Sequence, residues 1–421
     1  MTPDVIEDTT TSLSLTEATV RRNIAATLAG NLVFSGSQWL MTVAIARLGN
    51  MAMVGQYALG LAVCAPIFSF TGLQIRAVQA TDCTGTYRFA DYLNVRVAGT
   101  ACALAAVAAL GWAMPWRRDT LLVVLAVAGL KAVDSFSDVL YGLFQLRDRL
   151  DLIAWAMSLR AVGGLIALAV GMAVFHSAAA AVTAMTAVWV TVLLIYERPI
   201  ALGMKGERRP AAPWATLAAT YWRLTVLCLP LAFVLLLLAA SASLPRVMLE
   251  RHGGEQRLGV FSAVAAMSGA IGLLYTALGQ TALPRLARMF AGDRKQFHSA
   301  MGRMMIFSAA VGLAMLTGAW FWGVRIVTMV YGRQSAVTAE LVTGLVAVGV
   351  LGNTASLLGA GLTASRRFRS QLVAALMILL ITVAVAAWLI PAWGVRGAMY
   401  AGLAGACFQI VAYGYLCWQR G

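Results

Sequence analysis

Five polar side chains follow one face of a long apolar segment. Lys131, Asp134, Asp138, Tyr141 and Gln145 are separated by three, four, three and four residues, which is the spacing of neighbours on one side of an α-helix. An amine and two carboxylates in such a row can line a cavity that takes a polar ligand, or they can form internal ion pairs that only fix helix packing. Both interpretations require a basic partner for the acids.

Arg160 is the basic residue best placed to be this partner. It lies on the next predicted helix, which runs antiparallel to the first across a short turn at residues 147–151. Asp138 and Arg160 lie at similar distances from that turn, so we predict an ion pair between them. Lys131 would then pair with Asp134. On the functional interpretation, all four charged side chains face the substrate.

Motifs that would supply catalysis or hold a cofactor do not occur in the sequence. The three histidines are solitary, and there is no HExxH, no GxxxxGK phosphate loop and no nucleophile elbow. The six cysteines show no paired spacing typical of a disulfide framework or a zinc site. We therefore expect that the protein is not an enzyme and that it binds no cofactor, no metal and no nucleic acid. Energy, where required, must come from an ion gradient, the membrane potential or the substrate gradient.

The composition places these charges inside a membrane protein. Of the 421 residues, 61% are hydrophobic and only 12% are charged, whereas a soluble protein carries about a quarter charged residues. An unpaired charge at the centre of a bilayer costs at least about 2.5 to 3.5 kcal/mol. The polar face of the helix that carries Lys131 must therefore look into protein or water rather than into lipid.

Twelve apolar segments are long enough to cross a hydrocarbon core of about 30 Å. We predict helices near residues 24–46, 52–76, 93–114, 120–145, 152–175, 178–197, 219–243, 256–283, 301–325, 336–363, 368–391 and 393–418. The chain then divides into a tail (1–23), a six-helix bundle (24–197), a linker (198–218) and a second six-helix bundle (219–418).

Similar sequence features recur at equivalent positions in the two bundles. Residues 55–58 (GQYA) enter the second helix and residues 259–262 (GVFS) enter the eighth, and basic residues precede both the fifth and the eleventh helix. Two six-helix halves that begin and end on the same side are parallel repeats. The fold class is therefore an all-α integral membrane protein of two bundles related by a pseudo-twofold axis along the membrane normal.

The basic residues predict the orientation. Most of the 32 lysines and arginines fall in the tails and the even-numbered loops, so both termini should face the cytoplasm. This bias accounts for most of the net charge of +15. Arg246 is assigned to an outer loop, whereas Arg96, Arg223 and Arg303 lie near cytoplasmic helix ends, from which they should snorkel to lipid headgroups.

A set of residues in the first half carries a family pattern: Asn31, Gln38, Ala46-Arg47, Gly55-Gln56-Tyr57-Ala58, Ala65-Pro66, Arg76, Asp82, Tyr92, Arg96 and Gln145-Leu146-Arg147 to Asp151. With these residues, the segment from about 24 to 160 resembles the polysaccharide-biosynthesis flippases of the Wzx type. They are one branch of the multidrug, oligosaccharidyl-lipid and polysaccharide exporter superfamily. The second half matches mainly in its layout.

The resemblance implies a flippase. Such proteins move a polyprenyl-pyrophosphate-linked oligosaccharide across the bacterial inner membrane by alternating access, for O-antigen, capsule or exopolysaccharide synthesis, beside a polysaccharide polymerase and chain-length machinery. The branch that exports the peptidoglycan precursor usually has two additional helices and arginines within helices one, two and eight. This chain has twelve predicted helices and no arginine in the middle of those three, which argues against that branch.

The same resemblance suggests further site residues. Arg76 and Arg285 could meet the pyrophosphate as it enters, because guanidinium groups suit phosphate oxygens, although both could be plain topology markers. Gln38 and Gln56 could bond sugar hydroxyls or other helices. Pro66 and Pro230 interrupt helices two and seven, where they are either hinges or static kinks. These assignments extend the candidate site beyond the helix that carries Lys131, and they make Pro66 and Pro230 the candidate hinges of alternating access.

Two other classes remain as alternatives. A cation-coupled multidrug exporter of the same superfamily should have an acidic cavity, particularly in the first helix, yet no residue from Ile24 to Ala46 is charged. Asp134 and Asp138 keep this alternative open. A membrane scaffold or a polymerase subunit is disfavoured by the internal repeat and by the absence of large loops.

Overall fold

The computed structural model describes residues 17–82, 86–204, 214–332, 337–365 and 367–419, and these are almost entirely helical. The helices are α1 (Glu17–Leu48), α2 (Met51–Thr71), α3 (Ile75–Thr81), α4 (Phe89–Ala113), α5 (Arg118–Leu146), α6 (Leu150–Phe175), α7 (Ala178–Val192), α8 (Arg198–Gly203), α9 (Trp214–Gly292), α10 (Arg294–Tyr331), α11 (Ala339–Ala364), α12 (Phe368–Trp393) and α13 (Val395–Trp418). A π-helical turn (Leu193–Glu197) joins α7 to α8. Residues 1–16 of the predicted tail and 205–213 of the predicted linker lie outside the described part.

Short polar residues mark several helix starts. The side chains of Asn50, Ser177, Asp293 and Thr338 each accept a hydrogen bond from a backbone N–H in the first turn of α2, α7, α10 and α11. These residue types satisfy the N–H groups that the first turn leaves unpaired. The helix starts are thus encoded locally, and the start of α1 at Glu17 lies ahead of the predicted residue 24.

The predicted seventh and eighth helices form one 79-residue helical run, α9, interrupted at Gly254. Gly254 has φ 75° and ψ 173°, a conformation that is accessible to glycine and strained for other residues. The break therefore lies where the sequence predicted a loop between the two helices. Arg246, which was expected in that loop, lies instead within α9, so the predicted end of the seventh helix at residue 243 is wrong.

The architecture is that of a multi-pass membrane protein. Ten helices of the described ranges are long and apolar enough to cross a membrane, counting residues 217–267 of α9 as one span and leaving α1 out. Large apolar side chains such as Trp155, Ile166, Trp388 and Val411 are exposed on the outside, as suits helices whose solvent is lipid.

Two groups of helices pack around separate interiors. In the first half, α1 packs on α6, α2 on α5 and α5 on α7; in the second half, α11 packs on α9, α10 and α13, and α12 on α9 and α13. The halves meet where the start of α2 lies against α9. A Cβ atom at Gly55 or at Gly259 would collide with the backbone of the facing helix, so these two glycines permit the close approach.

Candidate functional site

A polar cavity of about 550 Å³ lies inside the first bundle. All of the helices α1 to α7 contribute side chains to its lining, together with the segment that leads into α3. Its polar lining consists of Gln38, Tyr57, Ser69, Gln74, Arg76, Arg96, Lys131, Asp134, Ser135, Asp138, Tyr141, Arg160 and Trp189. We call this space the first-bundle cavity.

The polar face of α5 forms one wall of the first-bundle cavity. Lys131, Asp134, Asp138 and Tyr141 all line it, and Gln145 accepts a hydrogen bond from Nε of Arg76 at 3.3 Å. The helical spacing read from the sequence thus brings these side chains to one surface. Nζ of Lys131 lies 3.3 Å from Oδ2 of Asp134, as expected from the sequence.

Arg160 is the most enclosed cation of the site, with 1% of its surface exposed. Its Nη2 lies 3.2 Å from Oδ1 of Asp134 and its Nη1 lies 3.9 Å from Oε1 of Glu197. The guanidinium also donates to the hydroxyl of Tyr141 at 3.3 Å and stacks on the ring of Trp189 at 3.9 Å. These four contacts hold the cation in one position.

The predicted ion pair between Asp138 and Arg160 is wrong. Asp138 pairs instead with Nη2 of Arg96 at 2.6 Å and with Nη1 of Arg76 at 3.6 Å. Asp134 and Asp138 lie one helical turn apart on the same face of α5, and Arg160 meets the acid that is farther along α5 from the turn at residues 147–151. Arg96 was expected to snorkel to the headgroups, yet only 4% of its surface is exposed, because α4 directs it inward to the carboxylate.

Glu197 is a member of the site that the sequence did not reveal. It is fully buried, and it accepts hydrogen bonds from Ser137 Oγ at 2.5 Å and from the Tyr141 hydroxyl at 2.8 Å. It lies at the end of the π-helical turn, a type of irregularity that is frequent at functional sites. An acidic residue at the end of an apolar helix was the available signal, but it resembled an ordinary solvated end.

The turn between α3 and α4 positions Arg96. Asp82 accepts hydrogen bonds from the backbone N–H groups of Thr86 and Tyr87 and from the hydroxyl of Tyr92. Partial burial raises the pKa of the Asp82 carboxyl, but these hydrogen bonds outweigh it and hold the pKa below its usual value. The ionised carboxylate therefore fixes the start of α4 at Phe89, about two turns before Arg96.

The remaining predicted residues are divided between the cavity and other places. Gln38 and Arg76 line the first-bundle cavity. Gln56 lies outside it and donates to Oε2 of Glu255 at 2.9 Å, across the contact between the halves. Arg285 is exposed and lies beside Arg288 and Asp293 at the end of α9.

The two predicted hinge prolines both lie within helices. Pro66 is inside α2 and Pro230 is inside α9, where the only interior residue with non-helical dihedrals is Gly254. Their role as hinges stays a prediction.

The charges of the site nearly cancel. Four cations, Arg76, Arg96, Lys131 and Arg160, face the carboxylates of Asp134, Asp138 and Glu197. In low dielectric, an ion pair with additional hydrogen bonds is tolerated, whereas removal of one partner is strongly destabilising. The charged side chains of this surface can give up an ion pair with one another and bind the hydroxyls or charges of a ligand instead. No cluster of metal-binding side chains occurs among the residues that the structure describes.

Comparison with known proteins relates the chain in sequence to a capsular polysaccharide biosynthesis protein and in fold to MATE transporters. No protein-family model matches it. In sequence it is similar to the capsular polysaccharide biosynthesis protein CapF of Staphylococcus aureus, with 23% identity over 314 residues, 74% of this chain and 78% of CapF.

Two solved structures share the fold. A mutant of the MATE transporter VcmN of Vibrio cholerae aligns with TM-score 0.64 and 13% identity over 94% of this chain and 95% of its own. A MOP superfamily transporter of Pyrococcus furiosus aligns with TM-score 0.63 and 14% identity over 93% and 94%. The chain therefore has the all-α fold of the MATE transporters of the MOP superfamily, and its predicted resemblance to the polysaccharide exporters is confirmed by its similarity to CapF.

Proposed function

We propose that the chain translocates a polyprenyl-pyrophosphate-linked oligosaccharide across the bacterial inner membrane for surface polysaccharide biosynthesis. Both termini would face the cytoplasm, and a polysaccharide polymerase with its chain-length machinery would use the product. The observation that carries the proposal is the first-bundle cavity, a polar and nearly charge-balanced space inside an otherwise apolar helical bundle.

The chemistry of this cavity suits a hydroxyl-rich and anionic cargo. Arg76 is half-buried at the cavity wall and bonds Asp138 only at 3.6 Å, so an oxyanion could replace that weaker contact. Lys131 is similarly accessible. Arg160, by contrast, is enclosed by Asp134, Tyr141, Glu197 and Trp189 and would hold the cavity wall in shape. We therefore assign substrate contact to Arg76, Lys131 and Asp138, and positioning to Arg160.

Alternating access would require the halves to separate at the start of α2. There, Glu255 accepts hydrogen bonds from Gln56 and from the hydroxyl of Thr120, and Arg47 donates to the backbone carbonyls of Met329 and Val330. These contacts join the first bundle to the second at the end that the charge pattern assigns to the outside. Their release would open the cavity toward that side.

A cation-coupled exporter of small cationic drugs is the second candidate. Asp134 and Asp138 face the same cavity, and acids in that place could attract a cation. Both carboxylates, however, already contact arginines at 3.2 and 2.6 Å. A drug cation would have to displace a guanidinium that is nearly fully buried, which favours the lipid-linked oligosaccharide.

Deletion of the gene tests the two candidates directly. We expect loss of a surface glycan together with accumulation of intact lipid-linked units on the cytoplasmic side. Unchanged glycan with increased sensitivity to cationic dyes would instead support the drug exporter and overturn the proposal.

Complementation then links the phenotype to the cavity. Asp138→Asn keeps the size of the side chain but removes the charge that holds Arg76 and Arg96, so it should restore export only in part at normal membrane abundance. Glu340→Gln is the matched control, since Glu340 pairs with Arg396 within the second bundle, and it should restore export fully.

A further inference from the structure

A second cavity of about 260 Å³ lies in the second bundle, between α9, α11, α12 and α13. Its polar lining consists of Ser241, Arg246, Asn353, Thr382 and Gln409. Five glycines on α9, α11 and α13 also line it, at positions 269, 349, 352, 402 and 405. We call this space the second-bundle cavity.

Arg246 is the charge of the second-bundle cavity, and no acid lines the space beside it. It precedes Gly254 by eight residues, about 12 Å along the axis of α9. Within the part of the chain that the structure describes, no ion pair or hydrogen bond involves its guanidinium. Arg160 in the first bundle is buried and has two carboxylates, a hydroxyl and an indole around it, whereas Arg246 is partly buried and faces its cavity without such partners.

An unpaired guanidinium inside a membrane bundle is costly and is usually retained for function. Duplication makes the contrast sharper, because α5 and α11 are the fourth helices of their halves. Where α5 contributes Asp134 and Asp138, α11 contributes the neutral Asn353. The second half has thus kept a cation in its cavity without the acids that neutralise the cations of the first half.

The lining of the second-bundle cavity suits an oxyanion. A guanidinium offers planar N–H donors that match phosphate or carboxylate oxygens, and the amides of Asn353 and Gln409 and the hydroxyl of Thr382 offer further donors. The volume corresponds to roughly nine water molecules at about 30 Å³ each. This space admits a diphosphate or a single sugar carboxylate and excludes a whole oligosaccharide.

We propose that Arg246, with Asn353 and Gln409, binds an oxyanion of the transported molecule in the second-bundle cavity, separately from the first-bundle cavity. The proposal rests on the proposed function for its cargo. The oxyanion is either the diphosphate of the lipid carrier or a carboxylate of an acidic sugar. The hydroxyl-rich part of the same molecule would then occupy the first-bundle cavity.

Binding to the purified full chain in lipid nanodiscs tests this site, with inorganic pyrophosphate and glucuronate as probes in calorimetric titrations. We expect one of them to bind, and Arg246→Gln to weaken that probe at least tenfold. Arg223→Gln, on the exposed side of the same helix, is the control and should bind like the wild type. Binding of pyrophosphate would identify the carrier diphosphate, and binding of glucuronate the sugar acid.

A second variant keeps the test decisive if Arg246→Gln does not fold. Asn353→Asp would supply an internal carboxylate beside Arg246, so it should raise the unfolding temperature and weaken binding of the same probe. Wild-type protein that binds neither probe, or an Arg246→Gln variant that binds like the wild type, overturns the proposal.

The two proposals fail differently. If neither probe binds but gene deletion abolishes the surface glycan, only the proposed oxyanion site is refuted. If a probe binds but gene deletion leaves the glycan unchanged, the flippase function is refuted, and the anion site belongs to a different kind of transporter.

Discussion

Replacement of Arg160 by methionine should destabilise the first bundle strongly. The guanidinium lies 3.2 Å from Asp134 and 3.9 Å from Glu197. At an effective dielectric constant of about 20, Coulomb's law gives attractions of about 5 and 4 kcal/mol for these distances. Desolvation of the charges offsets much of this gain, but the loss of Arg160 leaves the buried carboxylate of Glu197 without a cation, whereas Asp134 keeps Lys131. The expected cost is about 3 to 5 kcal/mol.

The stacking of Arg160 on Trp189 adds to this loss. A cation above an indole ring at 3.9 Å contributes about 2 kcal/mol when it is desolvated. Methionine retains part of the apolar contact with the ring and none of the charge. The variant therefore separates the electrostatic role of the side chain from its packing.

Unfolding in detergent micelles, followed by circular dichroism with increasing denaturing detergent, measures the effect. The variant Arg160→Met with Glu197→Gln should recover at least half of the lost stability, since no buried carboxylate then lacks a cation and Asp134 still pairs with Lys131. Arg223→Met, at an exposed position, should change little. A loss below about 1 kcal/mol in Arg160→Met, the range of an exposed ion pair, would refute the claim that the pairs are buried.

Three further outcomes follow from the structure. Glu255→Gln should weaken the contact with Gln56. It should therefore speed thiol labelling of a Met51→Cys variant, whose side chain is buried at that contact. Equal labelling rates would contradict the idea that this contact is a barrier to opening. Gly254→Ala should lower the free energy of unfolding by about 1 to 3 kcal/mol, because φ 75° with ψ 173° lies in a region that is nearly reserved for glycine; an unchanged unfolding midpoint would count against this. Because the pKa of Asp82 is lowered on folding, its stabilisation should be complete above pH 4 to 5 and should be lost as the pH falls through the folded pKa; a pH titration of unfolding in which the wild type and Asp82→Asn lose stability in parallel would exclude it.

The sequence predicted the wall of the first-bundle cavity but not its pairing. Helical spacing alone places Lys131, Asp134, Asp138 and Tyr141 on one side of α5, because residues three and four apart share a face. The partner of each acid depends on how α4 and α6 are placed along the axis of α5. An offset of about one helical turn decides whether Arg160 meets Asp134 or Asp138, and spacing within one helix contains no information on that offset.

Residues that act between elements were the hardest to predict. Gln56 was a candidate for sugar hydroxyls or for bonding another helix, and it contacts Glu255 on the other half, a pairing separated by about two hundred positions along the chain. Arg246 was assigned to a loop because the predicted seventh helix ended at residue 243. The break is confined to Gly254, so the helix continues past Arg246 and carries it into the second bundle.

The single break in α9 separates two sets of contacts with the first bundle. Before Gly254, Tyr221 accepts a hydrogen bond from Asn94 and Phe233 packs on Phe70. After Gly254, Glu255 contacts Gln56. One pair of backbone dihedrals lies between the two sets, so either can be released while the other persists. The contacts before and after Gly254 can thus break and form one set at a time, and the two halves then stay in contact throughout.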